Sequence, residues 1–444
     1  MLSRSRVGHA FRQAVLWRPA WSANRTWSSA PDPPAPQGPL KGYKVLDLGQ
    51  VVAGNFAGAV LAYYGADVIK VEPPGRGDAL RTLRLSDSKG TSLWWRAYGR
   101  NRRCVTADLR RPQGRELVRR LAARCDALVE NFRPGVMEEW GLGPGDLSPD
   151  LVYARISGYG QTGPRARQAG YASVCEAFGG MRALTGFVDR PPARANLSLG
   201  DTLAGFHAAF GVVLALLHRE RRSGGREAGE AASRQPLGQI VDASISESVF
   251  NMLEGCVPEF FAHGHVRQRS GTTITGVVPS GCWEAQDGQF VIIGGNGDKV
   301  YDRLMRALGR PDMGLGNPRF ATDAGRCAAA DEIHAVIQAW VASRPSTEIV
   351  GLLEKARVPA GPILSMADIA QEEQYLSRDM FQRRTAPGGG EEFVLPAMVP
   401  ILSQTPGNST WAGPELGQHT DEVLSGELGM SQSEIQALRE EGVV

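Results

Sequence analysis

Apolar and polar positions alternate in blocks along this chain, and the first blocks set a strand–helix–strand rhythm. Tyr43–Leu48 reads as a short strand, the glycine-spaced stretch Gly49–Gly58 turns into an apolar helix ending near Tyr64, and Ala66–Glu72 reads as a second strand. Arg115–Cys125 sets Leu117 with Leu121 and Val118 with Ala122 four residues apart, the spacing of one helical face. Further strands are predicted at Ala127–Glu130 and Leu151–Ile156, closing in the turns Asn131–Gly135 and Ser157–Pro164. This alternation predicts a Rossmann-like α/β fold, with a mostly parallel sheet covered on both faces.

At Asn196–Gly205 an apolar segment ends in Gly200, and Asp201 stands at the mouth of the apolar run Phe206–Leu217. That is where a helix begins, so Asp201 fits a place at or near the N-cap. A polar interruption at Arg221–Arg234, a strand at Gln239–Asp242 and a helix from Ser244 follow. From about residue 270 the pattern changes. Trp283–Ile293 alternates around Asp287-Gly288, a hairpin signal, and helices are predicted near 298–308, 329–342 and 347–356. Gly294–Gly297 reads as a plain turn after a strand, and Ser431-Gln-Ser-Glu434 is a capping box opening a last helix. No run reaches the length of a membrane span; Phe206–Leu217 is too short and carries His207.

Composition adds a compartment. Of 444 residues, 42% are hydrophobic and 22% charged, ordinary proportions for a globular protein, and the length suffices for two cores. Residues 1–40 differ: Arg4, Arg6, Arg12, Arg18 and Arg25 stand among serines and spaced apolar residues with a single acid, Asp32. That is the composition of a mitochondrial transit peptide, with Pro31–Pro39 as its linker. Without this segment the net charge passes from +2 to −2, which argues against nucleic acid as a partner. Cys104, Cys125, Cys175, Cys256, Cys282 and Cys327 form no CxxC pair, and the histidines form no HExxH. Reduced thiols and no metal site are expected, in keeping with a mitochondrial matrix. Glycines 49, 54 and 58 depart from G-x-G-x-x-G, which removes the main support for a nicotinamide site with Glu72 as its acid; they fit a helix approaching the sheet closely.

Seven phrases in order carry a resemblance: VLDLGQVVAG (45–54), GADVIKVEPPGRGDALR (65–81), ENFRPGVMEEWGL (130–142), ISGYGQTGP (156–164), the Gly200-Asp201 pair, VPAGPILSMADI (358–369) and PELGQHTDEVL (414–424). Together they resemble the class III CoA-transferases. The resemblance implies that Asp201 is the nucleophile, attacking an acyl-CoA to give an aspartyl anhydride and then an aspartyl-CoA thioester. It places Gln50, Val51 and Ala53 in the first turn beside CoA, and Asn131 and Phe132 along its path, although Phe132 fits a core position equally. Gly99-Arg-Asn-Arg-Arg103 matches the family's basic phrase, so Arg102 and Arg103 are candidates for the CoA phosphates; the same residues also read as a solvated basic turn. No metal and no cofactor are implied, coenzyme A being the acyl carrier among the substrates. The pattern is most similar to the branch that passes CoA between short dicarboxylates, from a donor such as succinyl-CoA to an acceptor such as glutarate. Arg81, Arg133, Arg165 and Arg167 are available for a second carboxylate. The implied architecture is an interlocked homodimer, with a large domain over 41–240 completed by 370–444 and a smaller α+β domain over 265–365.

Departures and rivals qualify this. Asn55 replaces a common proline, Ala172 replaces a common acid after Gly-Tyr, and the segment 224–236 is long. An α-methylacyl-CoA racemase is the rival within the family, but its Gly-His-Asp base phrase corresponds here to Gly170-Tyr171-Ala172, without a histidine. A non-catalytic CoA-binding protein is the rival outside catalysis.

Overall fold

The computed structural model describes residues 38–223 and 237–444. The expected transit peptide, but for its last three residues, and the long segment 224–236 lie outside the described residues. Six strands, β1 (Lys44–Asp47), β2 (Asp67–Glu72), β3 (Arg102–Thr106), β4 (Ala127–Glu130), β5 (Val152–Ser157) and β6 (Ile240–Ser244), form one sheet in the order β3-β2-β1-β4-β5-β6. Every neighbouring pair is parallel, with Val45 opposite Val68 on one side and Ala127 on the other. The α/β expectation holds, and the order is that of a doubly wound Rossmann sheet.

Strand alternation sorts the side chains into two cores. Val45, Val129, Ala154 and Ile156 face helices Ala53–Tyr63 and Leu199–Ser223, while Leu46, Ile69, Leu128 and Tyr153 face helix Pro112–Ala122 and the C-terminal helix Thr420–Leu428. Each fully buried aliphatic side chain stabilises the fold by about 1.5–3 kcal/mol. Pro112 at the first position moves the third helix three residues ahead of the periodicity reading, since proline suits a helix start. Helix Leu93–Tyr98 and strand β3 flank a real turn at 99–101, and the basic residues that run from the turn into β3 masked both elements.

Helix Leu199–Ser223 begins two residues before Asp201 and runs far beyond the apolar stretch that announced it. By length and composition, Leu199–Arg222 is sufficient to cross a membrane. This corrects the sequence reading of that run. Here its Ala204, Ala208, Val212 and Leu216 face lies on the sheet. Phe206, Phe210, Leu214 and Leu217, on another face, are each more than one third exposed.

Residues 278–360 build a separate core. Strands β7 (Ser280–Glu284), β8 (Phe290–Gly294) and β9 (Ala360–Pro362) form an antiparallel sheet. Gly288 closes the β7–β8 hairpin at φ +73°. Ile293, Leu304, Ile333, Ile337 and Leu353 pack beneath it. A hairpin of β10 (Phe381–Thr385) and β11 (Glu392–Pro396) follows. The chain then returns to the large sheet, where Val443 accepts from the Asp108 N–H at 2.8 Å. The capping box at Ser431 and Glu434 forms as expected.

Gly205 sets how closely the two long helices of the first core approach. A Cβ there would stand 2.4 Å from the Ala53 carbonyl oxygen. Gly205→Ala is expected to cost about 1–3 kcal/mol by forcing the helices apart. A urea midpoint equal to wild type would show that the crossing tolerates the methyl group.

Candidate active site

In this strand order the chain leaves β1 and β4 in opposite directions, opening a crevice at their C-terminal ends. Asn131, just after β4, bridges it. Its Oδ1 accepts from the Gln50 N–H at 2.6 Å and its Nδ2 donates to the Gln50 carbonyl at 2.8 Å. The next residue, Val51, sits at φ +59°, a left-handed conformation that β-branched residues rarely adopt. Asp78 holds it there, its two carboxylate oxygens 3.0 and 3.3 Å from the Val51 N–H. Asn55 donates to the Val51 carbonyl at 3.0 Å and to Asp78 at 2.7 Å. Proline could make neither bond, which gives the departure at position 55 a structural role. Burial raises the Asp78 carboxyl, but Lys70 at 3.4 Å and the N–H donors of Leu80, Asn55 and Val51 outweigh it and hold the group below its usual range. Gly49 and Gly54 make the turn tight, since a Cβ on Gly54 would fall 2.4 Å from Gly49 Cα. Close approach, not phosphate binding by a dinucleotide pattern, accounts for these glycines.

The crevice continues into a cleft of about 90 Å³ lined by Leu48, Gln50, Arg76, Arg110, Phe132 and Trp140. Phe132 packs edge-on to Trp140 with ring centroids 5.1 Å apart, so it is part of the cleft wall. Arg110 is paired with Asp108 at 2.8 Å. The Arg76 side chain is exposed and has no hydrogen bond or ion pair among the described residues. An apolar wall beside a free guanidinium suits a phosphorylated aromatic group. Arg76 lies inside the phrase 65–81, but no local pattern singled it out.

Gln50, Val51, Ala53, Asn131 and Phe132 therefore gather at one place; Arg102 and Arg103 do not. Gly99–Asn101 form the expected turn, but Arg102 and Arg103 already begin strand β3, and a strand sends successive side chains to opposite faces. Arg102 is fully buried, its Nη1 bonded to Asp47 and to Asn55 Oδ1 at 2.9 Å. Arg103 points the other way, to Asp67 and to Glu427 at 2.9 Å on the C-terminal helix. Both guanidinium groups are engaged within the fold, which corrects their reading as phosphate ligands. Arg81 is likewise committed, in a buried two-point pair with Glu72 at 2.7 Å. That pair also occupies the acid that a nucleotide ribose would have needed.

Asp201 lies in the first turn of helix Leu199–Ser223, not at its cap; Ser198 precedes the helix and its carbonyl accepts from Thr202 N–H at 3.1 Å. One turn on, about 6 Å along the helix axis, Gly205 meets the Ala53 carbonyl at the start of the helix that follows the turn after β1. Its carboxylate has no hydrogen bond or ion pair among the described residues. Burial, and then the charge of Glu176, push its pKa up to about 6, with Arg194 acting in the opposite direction. A helix start normally favours the anion; desolvation wins here. The result is a carboxylate still mostly ionised at neutral pH yet more basic than usual, as a nucleophile requires. Sequence reasoning missed Glu176, which stands one turn after Ala172, where the family's acid is absent.

Comparison with known proteins identifies the family. The model of CoA-transferase family III matches residues 40–420. Succinyl-CoA–D-citramalate CoA-transferase of Chloroflexus aurantiacus is 40% identical over 92% of this chain and 99% of its own. Succinyl-CoA:glutarate CoA-transferase of Mus musculus is 29% identical over 91% of this chain and 90% of its own. The crystal structure of a CAIB/BAIF family protein from Brucella suis superposes with a TM-score of 0.74 at 30% identity, covering 88% of this chain and 99% of that one. The chain belongs to CoA-transferase family III and is a class III CoA-transferase.

Two arginines separate scaffold from site. Arg102→Met is expected to destabilise the fold by about 3–5 kcal/mol, because it leaves Asp47 buried without that partner. Arg76→Ala should leave the denaturation midpoint unchanged and weaken acyl-CoA binding about tenfold, through loss of a charge-assisted contact. Unchanged acyl-CoA affinity in the second variant would remove Arg76 from the cleft's function.

Proposed function

We propose that the protein transfers CoA from succinyl-CoA to a short dicarboxylate, with Asp201 as nucleophile. The observation that carries this reading is an unpaired, basic carboxylate in the first turn of a helix packed against the start of the helix that follows β1. Asp201 attacks the acyl carbonyl, a C–O bond forms, the C–S bond breaks, and CoA leaves as thiolate. The thiolate then attacks the aspartyl carbonyl of the anhydride, releasing succinate and leaving an aspartyl-CoA thioester. An acceptor carboxylate attacks that thioester to form a new anhydride, and the thiolate closes the cycle on the acceptor's carbonyl. The activation of the thioester is conserved at every step. In the turn, Gln50 and the free N–H groups at the start of helix Ala53–Tyr63 are suited to developing negative charge on oxygen or to phosphate. Asn131 and Phe132 shape the path of CoA.

Short dicarboxylates are supported by the relatives, which act on D-citramalate at 40% identity and on glutarate at 29%. Citramalate therefore stands beside glutarate as acceptor. Arg133, Arg165 and Arg167 remain exposed and available for the second carboxylate, whereas Arg81 does not. No observation favours the racemase, whose histidine base position is occupied here by the exposed Tyr171.

Two further readings are ours. The exposed apolar face of helix Leu199–Ser223 supports a homodimer, and not a membrane, as its covering. The basic, acid-poor residues 1–40 support import into the mitochondrial matrix.

Asp201→Asn and Asp201→Ala should both abolish transfer from succinyl-CoA to every member of a panel of glutarate, citramalate, malate and monocarboxylates. Hydroxylamine added to wild type with succinyl-CoA should inactivate it, with the label on Asp201 by mass spectrometry. Near-normal transfer by the Asn variant, or a label elsewhere, would sink the reading. The purified protein should scatter light as a dimer, and the mature form should begin within residues 25–42; a monomer at micromolar concentration, or an intact Met1 on protein recovered from mitochondria, would overturn the respective proposal.

A further inference from the structure

A second carboxylate lies under the site. Glu176, on helix Ala172–Phe178, is only 3% exposed. Its Oε1 accepts from the Gly200 N–H at 3.1 Å, on the peptide that leads into Asp201. Its Oε2 lies 3.3 Å from Arg182 Nη2 and 3.9 Å from Arg194 Nε. The approach depends on glycine at position 200, where a Cβ would come within 3.1 Å of both Glu176 Cγ and Ile245 Cγ2. Half of the Gly200-Asp201 pair is thus explained by Glu176, not by Asp201.

Capping alone does not require a buried charge. A short neutral side chain satisfies a helix-start N–H at lower desolvation cost. The charge has a second effect: it occupies both nearby arginines. Without it, Arg182 and Arg194 would lose this partner, and Arg194 already acts on the Asp201 carboxylate. The remaining surroundings offer no substitute. Helix Ala53–Tyr63 brings no charged side chain, Cys175 is a buried thiol beside Tyr159, and Glu247 lies by Gly160. His207, further along the catalytic helix, lines a separate groove with Asp242.

We propose that Glu176 is a positioning residue of the transfer reaction, fixing the first turn of the catalytic helix and sequestering Arg182 and Arg194 so that the Asp201 carboxylate stays unpaired. The inference rests on Asp201 being the nucleophile. Glu176→Gln keeps the acceptor for Gly200 and nearly the same volume but removes the charge. In wild type, kcat/KM should fall as pH drops through about 6, where Asp201 protonates. In the Gln variant that limb should move to lower pH, because a like charge is gone and two cations are released toward Asp201. The plateau rate should fall at least about tenfold, because a paired carboxylate is a poorer nucleophile. Arg194→Gln, at a half-exposed position, should move the limb to higher pH, and it tests the idea even if the Gln variant fails to fold. A cap alone predicts unmoved limbs in both, and that result overturns the inference. Hydroxylamine labelling of wild type separates the two levels. Label on Asp201 with unmoved limbs defeats Glu176 alone, whereas absence of label defeats the nucleophile and the inference with it.

Discussion

Six ionised groups buried beneath the turn after β1 hold this site in place. Asp47, Glu72 and Asp78 face Lys70, Arg81 and Arg102, all within a tenth of full burial. Their charges cancel, and Asn55 links Arg102 to Asp78. Such a cluster is costly to desolvate and contributes little net stability. What it does provide is direction. It holds Val51 in a conformation its side chain disfavours, and it fixes Gln50 against Asn131.

The second constraint is the crossing of two helices. Because Gly205 lacks a side chain, the helix bearing Asp201 rests directly on the backbone of Ala53. Ala53 begins the helix that follows the turn after β1, so that turn and the helix start bearing Asp201 are tied through one helix contact. This is how a rigid scaffold delivers a reacting group within the narrow tolerance that covalent catalysis needs. The electrostatics follow the same logic. The start of its own helix and Arg194 favour the anion, burial and Glu176 oppose it, and the balance leaves Asp201 more basic than a free acid.

Substrate choice is separate from this machinery. The buried cluster, the strained turn and the helix crossing serve any acyl-CoA. With Arg81, Arg102 and Arg103 committed to the fold, the exposed arginines Arg133, Arg165 and Arg167 are our proposed candidates for the choice of carboxylic acid. Relatives with different acceptors fit that division.

The sequence by itself determined what depends on local order. β-branched alternation located five of the six parallel strands, Asp287-Gly288 located a hairpin, Ser431 and Glu434 formed their capping box, and the Gly200-Asp201 pair marked the start of the long helix to within two residues. Tertiary structure alone decided the fate of the charges. Arg102 finds Asp47 across 55 residues and Arg103 finds Glu427 across 324, so one basic phrase became two internal clamps. Glu176 reaches Gly200 across 24 residues and takes over part of the role that adjacency had suggested for Asp201. The physical reason is the same in each case. Backbone pattern is set by neighbours in the chain, whereas a charged side chain is settled by whichever partner comes within about 4 Å once packing has removed water.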